Sequence, residues 1–260
     1  MLKAHIETGA DCTIAALNVP LKEASRFGIL NIREDGQIYQ FEEKPKVPKS
    51  TLASMGIYIF TASKLFEYLE ADDKNPDSSK DFGKDVLPAM LNAGEKMMSY
   101  EFSGYWKDVG TISSLHEANM DLLGDTPNFD VSDSAWKIHS RNPLAPPEFI
   151  GSDAKIKNSM IALGCEIDGT IENSVLSSNV VVEKGAVVRD SVIMSGTVIK
   201  AGSEVNYSII DENVVIENGA KVGEIKGNGV GIAVLGKCIT IGKNVTVKAG
   251  EIIDKDKKEA

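Results

Sequence analysis

Five short segments of the first half carry most of the residues that could do chemistry. They are EASRFG (residues 23–28), FEEKP (41–45), SMGIYIF (54–60), DFGKD (81–85) and YWKDVGT (105–111). The chain is acidic, with a formal net charge of −10 and no evident basic patch, so a nucleic acid is not expected as a ligand. One or two lysines in a cleft are nevertheless enough to hold a phosphate, so a small anionic ligand is compatible with these segments.

The cysteines indicate a cellular compartment rather than a reactive site. Cys12, Cys165 and Cys238 are scattered, odd in number and without CxxC spacing, which is typical of reduced, buried residues in a cytoplasmic protein. Residues 1–19 lack the apolar stretch of a signal peptide, and no apolar run approaches the roughly 20 residues that span a bilayer. We therefore predict a cytoplasmic protein with no membrane partner.

The elements that must position the five segments alternate between helices and strands. The pattern predicts a helix ending at residue 8 and closed by Gly9, a hairpin around Glu34-Asp35-Gly36, and a helix over 82–93 capped by Asp81. Strands are predicted over 12–19, 27–32, 38–43, 55–60 and 98–102, and further helices over 63–70 and 111–123. The last helix places Ile112, Leu115, Ala118 and Leu122 on one face. Such mixed elements favour an α/β domain over residues 1–125, followed by a proline-rich linker over 126–148.

From about Phe149 onward, aliphatic residues recur every five or six positions with Gly or Asn between them. Helices space apolar residues three and four apart and hairpin sheets alternate strictly, so neither fits this period. A triangular coil does: each short strand turns one aliphatic side chain inward, and a Gly or Asn supplies the permissive backbone of the corner. We predict a left-handed parallel β-helix of about five or six coils over 149–260, less regular between Gly223 and Gly236. The alternative is an antiparallel sandwich, which needs longer alternating strands. The positions predicted as corners are Gly151, Asn158, Gly164, Gly169, Asn173, Asn179, Gly185, Gly196, Gly202, Asn213 and Gly219.

Taken in order and followed by a β-helix, the five segments resemble the sugar-nucleotide pyrophosphorylases, most of all the bacterial glucose-1-phosphate adenylyltransferases. The resemblance implies a Rossmann-like (GT-A-like) nucleotidyltransferase domain ahead of the hexapeptide β-helix. It also implies the reaction of ATP with glucose 1-phosphate to ADP-glucose and pyrophosphate, for glycogen synthesis.

The resemblance also implies residues that contact glucose 1-phosphate. Lys44 is expected to place a charge on the sugar phosphate, and Glu43 to accept hydrogen bonds from glucose hydroxyls. Gly28 is expected to let the backbone approach the sugar, and Ser54 to bond a hydroxyl. The structural alternatives are a surface Glu43–Lys44 ion pair, a strand glycine and a core serine.

The YWKDVGT segment is implied to serve the metal and the sugar. By the resemblance, Asp108 is one of two aspartates that hold Mg²⁺, a hard cation that prefers carboxylate and phosphate oxygens. Its alternative is a helix-entry residue ahead of Thr111. Trp106 is expected beside the glucose, with a core aromatic as the alternative, while Asp81 and Asp85 are assigned to capping and packing.

The sequence departs from the family at its beginning. The Gly-rich GGxGxRL loop that cradles the nucleotide triphosphate has no counterpart here, and neither does the SGDH-like segment with the second metal aspartate. We therefore expect an N-terminally truncated chain that neither binds ATP productively nor turns over alone.

Other functions are compatible with parts of the pattern. A hexapeptide-repeat acyltransferase would typically use a histidine of the β-helix, but His5, His116 and His139 all precede residue 149. A non-catalytic regulatory or assembly subunit of the same enzyme, or a pyrophosphorylase for another sugar or base, is also consistent. The family resemblance further implies a homo- or heterotetramer with allosteric effectors, and a solenoid with open ends fits such assembly.

Overall fold

The computed structural model describes residues 1–135, 137–140 and 143–258. Contacts divide the chain into two compact units, Met1–Gly104 and Tyr105–Ala260, which are described one at a time. Among the described residues, no helix is both long enough and apolar enough to cross a membrane.

The first unit is built on a five-stranded mixed sheet with the order β3-β2-β4-β1-β5. Its strands are antiparallel to their neighbours except β1 and β5, which run parallel. The strands are β1 (Cys12–Asn18), β2 (Gly28–Ile32), β3 (Ile38–Glu43), β4 (Leu52–Phe60) and β5 (Met97–Glu101). The helices are α1 (Leu2–Thr8), α2 (Leu21–Ala24), α3 (Ala62–Lys74) and α4 (Leu87–Asn92), with a π-helical turn at Phe82–Val86. This mixed sheet confirms the predicted Rossmann-like α/β fold.

Local signals in the sequence fix the ends of several elements. Gly9 closes α1 in the left-handed region at φ 59°, a conformation that glycine adopts without steric cost. Asp81 caps the following turn by accepting from the backbone N–H of Lys84 at 3.0 Å. The predicted helix over 82–93 nevertheless begins as a π turn, because Pro88 has no N–H with which to continue an α-helical ladder at that point. Apolar residues of β1, the hairpin and α4 form the buried core of this unit, among them Cys12, Ile14, Leu30, Leu87 and Met90.

The second unit contains three parallel sheets of six strands each, which together fit the predicted left-handed β-helix of six coils. One sheet comprises β6 (Phe149–Ile150), β9 (Glu166–Ile167), β12 (Val181–Val182), β15 (Val198–Ile199), β18 (Val215–Ile216) and β21 (Thr240–Ile241). The next comprises β7 (Lys155–Lys157), β10 (Thr170–Glu172), β13 (Val187–Arg189), β16 (Glu204–Asn206), β19 (Lys221–Val222) and β22 (Thr246–Val247). The third comprises β8 (Met160–Ile161), β11 (Val175–Leu176), β14 (Val192–Ile193), β17 (Ser208–Ile210), β20 (Ala233–Leu235) and β23 (Ile252–Ile253).

Strand pairing stacks the predicted aliphatic residues into three inward-facing columns. In one of them, Ile161, Leu176, Ile193, Ile210, Leu235 and Ile253 follow one another coil by coil. The middle members of the columns are fully buried, so each coil covers the apolar face of the next. The stretch predicted to be less regular contains one strand of its own, β20, which continues this third column after a longer loop.

The corners confirm the predicted use of Gly and Asn, with two corrections. Gly151 and Gly169 do not adopt positive φ; a Cβ there would overlap a side chain or backbone oxygen of the next coil, so close packing requires glycine at both sites. Further β-helix residues with positive φ were not among the predicted corners: Asp190, Tyr207 and Cys238, which are neither Gly nor Asn, and also Gly223, Asn244 and Gly250.

A helix, α5 (Ile112–Met120), packs on the β-helix within the second unit. Thr111, the predicted first residue of this helix, is its N-cap, in a capping box with Ser114. The predicted apolar face is wrong in part: Ile112 is 40% exposed, whereas His116 is buried. Leu115 and Met120 pack against aliphatic residues of the coils, because the docking of His116 on the β-helix sets which face turns inward.

The described residues between α5 and β6 contain no helix or strand. The nucleotidyltransferase limit at residue 125 and the linker over 126–148 stay predictions; residues 136, 141 and 142 of that linker lie outside the described chain.

Candidate functional site

The hairpin of β2 and β3 brings two predicted sugar-binding residues side by side. Gly28 pairs with Glu43 in the antiparallel register, and the backbone N–H of Lys44 donates to the carbonyl of Phe27 at 3.1 Å. Lys44 itself adopts a positive φ of 46°, so the chain turns sharply directly after Glu43. Glu43 and Lys44 thus lie at the end of β3, an edge strand that pairs with the sheet on one side only.

The Glu43 carboxylate and the Lys44 ammonium lie 3.7 Å apart, so the ion pair considered as an alternative is present. The Lys44 side chain is 67% exposed and the Glu43 side chain 23% exposed. An exposed pair at this distance contributes little to stability, since such contacts are typically worth about 0–1 kcal/mol. The ammonium is therefore available to a phosphate without loss of a strong internal partner.

Gly28 has a steric reason to be glycine. A Cβ at this position would lie 2.5 Å from the ring of Phe41 and 3.0 Å from a carboxylate oxygen of Glu43. The absence of a side chain at Gly28 therefore leaves the space that the Phe41 ring and the Glu43 carboxylate occupy beside β2. Approach of a sugar to the same backbone stays a prediction.

Ser54 and Tyr58 lie on β4, on either side of an irregularity in its pairing with β1, and their side chains are hydrogen-bonded to each other. Ser54 is buried and accepts from the backbone N–H of Gly56 at 3.2 Å. Burial raises the pKa of the Tyr58 hydroxyl, hydrogen bonding to Ser54 opposes that shift, and the charges of Glu43 and Asp81 add to it. Tyr58 thus links the predicted Ser54 to the predicted Glu43, although the sequence analysis gave it no role.

The turn after Asp81 completes the surroundings of Glu43. A Cβ on Gly83 would lie 2.8 Å from a Glu43 carboxylate oxygen and 3.3 Å from one of Asp81. The ring of Phe82 stacks on that of Tyr58 with centroids 5.9 Å apart. Carboxylates, a hydroxyl and an aromatic face are the groups that bind sugars, so Tyr58, Asp81 and Phe82 join the candidate site. All three residues lie in the SMGIYIF and DFGKD segments singled out in the sequence. Asp81 was assigned there to helix capping, so a role beside Glu43 was not predicted.

The remaining predicted residues, Trp106 and Asp108, belong to the second unit. Trp106 is half-buried, whereas Asp108 is exposed just ahead of α5. One Asp108 oxygen accepts from the backbone N–H of Gly110 at 3.2 Å, which leaves its other oxygen open to solvent or a cation. This position also agrees with the alternative of a helix-entry residue ahead of Thr111, which is itself the cap of α5.

Nucleotidyltransferases, which the sequence resembles, generally use divalent metal ions. In the described part of the chain, no three His, Cys, Asp or Glu side chains come together as a metal-binding group. Mg²⁺ is commonly held by one or two carboxylates together with substrate phosphates, and a single exposed carboxylate such as Asp108 fits one position of that kind.

Comparison with known families assigns a class to each of two successive parts of the chain. The nucleotidyl transferase family model matches residues 1–125, and the GlmU-like C-terminal hexapeptide model matches residues 146–228. The chain thus consists of a nucleotidyl transferase domain followed by a hexapeptide domain, in agreement with the mixed sheet and the six-coil β-helix.

Curated relatives that resemble the chain share one enzyme name. Glucose-1-phosphate adenylyltransferase of Clostridium perfringens (strain SM101 / Type A) is 57% identical over 189 residues, which is 73% of this chain and 49% of that protein. The enzyme of the same name from Bacillus thuringiensis (strain Al Hakam) is 55% identical over 188 residues, covering 72% of this chain and 50% of that protein. Nearly three quarters of the chain is therefore homologous to glucose-1-phosphate adenylyltransferases, which confirms the resemblance. The chain spans about half the length of the curated relatives it matches.

Proposed function

We propose that this chain carries the glucose 1-phosphate-binding part of a glucose-1-phosphate adenylyltransferase, the enzyme that makes ADP-glucose for glycogen synthesis. The observation that carries the proposal is the Glu43–Lys44 pair, set at the end of β3 with an exposed ammonium and surrounded by Tyr58, Asp81 and Phe82. A chain this similar to named adenylyltransferases has, in that pair, the charge and the acceptor that a sugar phosphate requires.

The proposed reaction is attack of a glucose 1-phosphate oxygen on the α-phosphorus of ATP, with pyrophosphate as the leaving group. Such a transfer depends on positioning and on neutralisation of charge more than on a protein nucleophile. Lys44 neutralises the sugar phosphate, Glu43 accepts from glucose hydroxyls, and Ser54 bonds a further hydroxyl. Gly28 keeps the strand backbone open to the sugar.

Mg²⁺ is the proposed cofactor, and Asp108 is the residue that would hold it. When bound, the ion supplies positive charge that offsets the charge of the phosphates. The role of Asp108 is to offer its open carboxylate oxygen to that ion, while the bond from the Gly110 N–H orients the other.

Binding of glucose 1-phosphate to the wild-type chain and to Lys44→Ala, measured by titration calorimetry, tests the proposal. A hydrogen bond to a charged group contributes about 1.5–3 kcal/mol, so the variant is expected to bind at least about tenfold more weakly. Lys46→Ala is the matched control, because Lys46 is an exposed lysine two residues further along the same loop. Equal affinities of wild type and Lys44→Ala would refute the site.

Catalysis by the chain as given is a separate question with its own assay. We propose that the 260-residue chain, which contains no GGxGxRL segment, binds the sugar phosphate without forming ADP-glucose. Pyrophosphate release from ATP and glucose 1-phosphate by this chain would overturn that expectation. The second candidate function, a regulatory or assembly subunit, predicts the same lack of turnover but no loss of affinity in Lys44→Ala.

The proposal extends to assembly and location. A homo- or heterotetramer built through the β-helix, responsive to allosteric effectors and located in the cytoplasm, is what the homologous enzyme class leads us to expect. Light scattering of the purified chain measures its oligomeric state directly.

A further inference from the structure

The segment that carries Trp106 and Asp108 is tied to the far end of α5 by one carboxylate. The Tyr105 hydroxyl donates to Asp121 Oδ2 at 3.0 Å, and the Lys107 ammonium donates to the same oxygen at 2.9 Å. Asn128 Nδ2 donates to the other oxygen, Oδ1, at 2.9 Å. Both oxygens of Asp121 are therefore engaged, and the carboxylate joins two stretches of chain to the helix end.

The spacing of the tied residues separates them from the residues with proposed roles. Tyr105 and Lys107 are two apart and reach one oxygen, so their side chains extend to the same side of the segment. Asp108, the next residue, is exposed instead. The Asp121 carboxylate thus holds the segment without occupying the carboxylate proposed to bind the cation.

The position of Asp121 on α5 indicates that its negative charge stabilises the segment of residues 105–107 and not the helix itself. Asp121 is the C-cap residue, where the helix dipole disfavours a negative charge. Lys107 offsets that charge and also lies 3.2 Å from Glu117, one turn earlier on the helix. The ring of Tyr105 is further fixed by stacking on Phe129, with centroids 5.2 Å apart.

We propose that Asp121 is a positioning residue for Asp108: by holding Tyr105 and Lys107 it fixes the segment that presents the metal-binding carboxylate. This inference rests on the proposed function, because it takes Asp108 as the ligand of a divalent cation. Groups that orient a metal ligand through hydrogen bonds change metal affinity when they are removed, even though they never touch the ion.

Mn²⁺ binding, followed by the electron paramagnetic resonance of the free ion in the presence of glucose 1-phosphate, tests the inference. Replacing Trp136 by Phe leaves Trp106 as the sole tryptophan, so acrylamide quenching reports on the segment independently. Asp121→Asn is expected to weaken Mn²⁺ binding about tenfold or more and to raise the quenching of Trp106. Asp125→Asn, which removes the same charge from an exposed position four residues away, is expected to change neither.

Two further variants separate positioning from folding. Asp121→Glu retains the carboxylate and is expected to recover most of the affinity, whereas Tyr105→Phe removes one donor and is expected to give an intermediate loss. Thermal unfolding by circular dichroism identifies any variant that has lost its fold. If Asp121→Asn is unfolded, the Mn²⁺ affinity and Trp106 quenching of Tyr105→Phe test the role of Asp121 instead, and wild-type values for both would overturn it.

The outcomes distinguish this inference from the proposed function. Equal Mn²⁺ affinity of wild type and Asp108→Asn would overturn the metal role of Asp108, and the positioning of a metal ligand with it. Impaired binding in Asp108→Asn together with wild-type binding and quenching in Asp121→Asn would overturn only the role of Asp121.

Discussion

Replacement of His116 by Ala should release α5 from the β-helix. His116 is 1% exposed, and its Nε2 lies 2.7 Å from the carbonyl oxygen of Asp190. A carbonyl oxygen only accepts, so Nε2 carries the proton and donates. The imidazole also meets the ring of Tyr207 edge-on, with centroids 4.9 Å apart and an interplanar angle of 82°.

The cost of His116→Ala follows from these contacts. Leaving the half-buried Asp190 carbonyl without its donor costs about 1–3 kcal/mol, and losing the edge-on aromatic contact costs about 0.5–1.5 kcal/mol. We expect α5 to lose roughly 1.5–4.5 kcal/mol of its docking free energy as the sum of these two effects. His116→Phe keeps a ring against Tyr207 and should lose only the hydrogen-bond part.

Hydrogen exchange of the α5 amides measures this loss, because undocking opens the helix without unfolding the coils. The matched control is His139→Ala, since His139 is an exposed histidine outside both helix and coil. If exchange in residues 112–120 were no faster in His116→Ala than in His139→Ala, the reasoning from buried contacts to docking would be wrong.

The same histidine makes docking dependent on pH. Burial is the main cause that lowers the pKa of His116, and the charge of Lys226 lowers it further, while the hydrogen bond and charge of Asp190 and the charge of Glu117 oppose the shift. Between this lowered pKa and the ordinary value of about 6.5, the undocked histidine binds more protons than the docked one. Docking is therefore fully stable above about pH 6.5 and weakens as the pH falls through the folded-state pKa. In His116→Phe, amide exchange corrected for its intrinsic pH dependence should lose this slope; an unchanged slope would assign it to another group.

Three further predictions concern the packing of both units. Ile193→Ala, in the middle of an aliphatic column, should destabilise the β-helix by about 2–5 kcal/mol in denaturant unfolding, whereas Ile252→Ala, 64% exposed on the last coil, should cost less than about 0.5 kcal/mol. Gly223→Ala should lower Tm by several degrees, because φ is +70° and the new Cβ would overlap a backbone oxygen of the preceding coil. At pH 8 a maleimide should label Cys238, which is exposed, and spare the buried Cys12, because burial raises the pKa of that thiol to about 12; equal labelling of the folded chain would contradict the packing of β1.

The β-helix could be predicted because its signal is repeated. Each sheet has six strands, and each strand has one inward-facing aliphatic residue. A pattern repeated this often can be recognised even where single positions depart from it. The hairpin of β2 and β3 was equally predictable, since Gly36 adopts φ 80° in the turn where the sequence places Asp-Gly. Caps are also local, and so Asp81 could be assigned as an N-cap from a few neighbouring residues.

The candidate site was only partly predictable, because its residues meet through the sheet rather than along the chain. Glu43 and Lys44 are adjacent in sequence, whereas Tyr58 joins them from β4 and Gly83 from the turn beyond α3. Nothing local indicates that these segments converge. Capping of the following turn was a sufficient local explanation for Asp81. Its closeness to Glu43 becomes visible only in the folded structure.

The corner residues show how an irregular repeat can itself carry information. Along one corner of the β-helix, Asn158, Asn173, Asp190, Tyr207 and Gly223 succeed one another, all with positive φ. The first members bond side chain to side chain, from Asn158 to Asn173 at 2.8 Å and from Asn173 to Asp190 at 2.6 Å. The ladder gives way to an aromatic residue at Tyr207, where His116 of α5 docks, although a left-handed backbone disfavours a side chain of that kind. At this corner, the departure from Asn or Gly at Tyr207 therefore coincides with the coil that receives the helix.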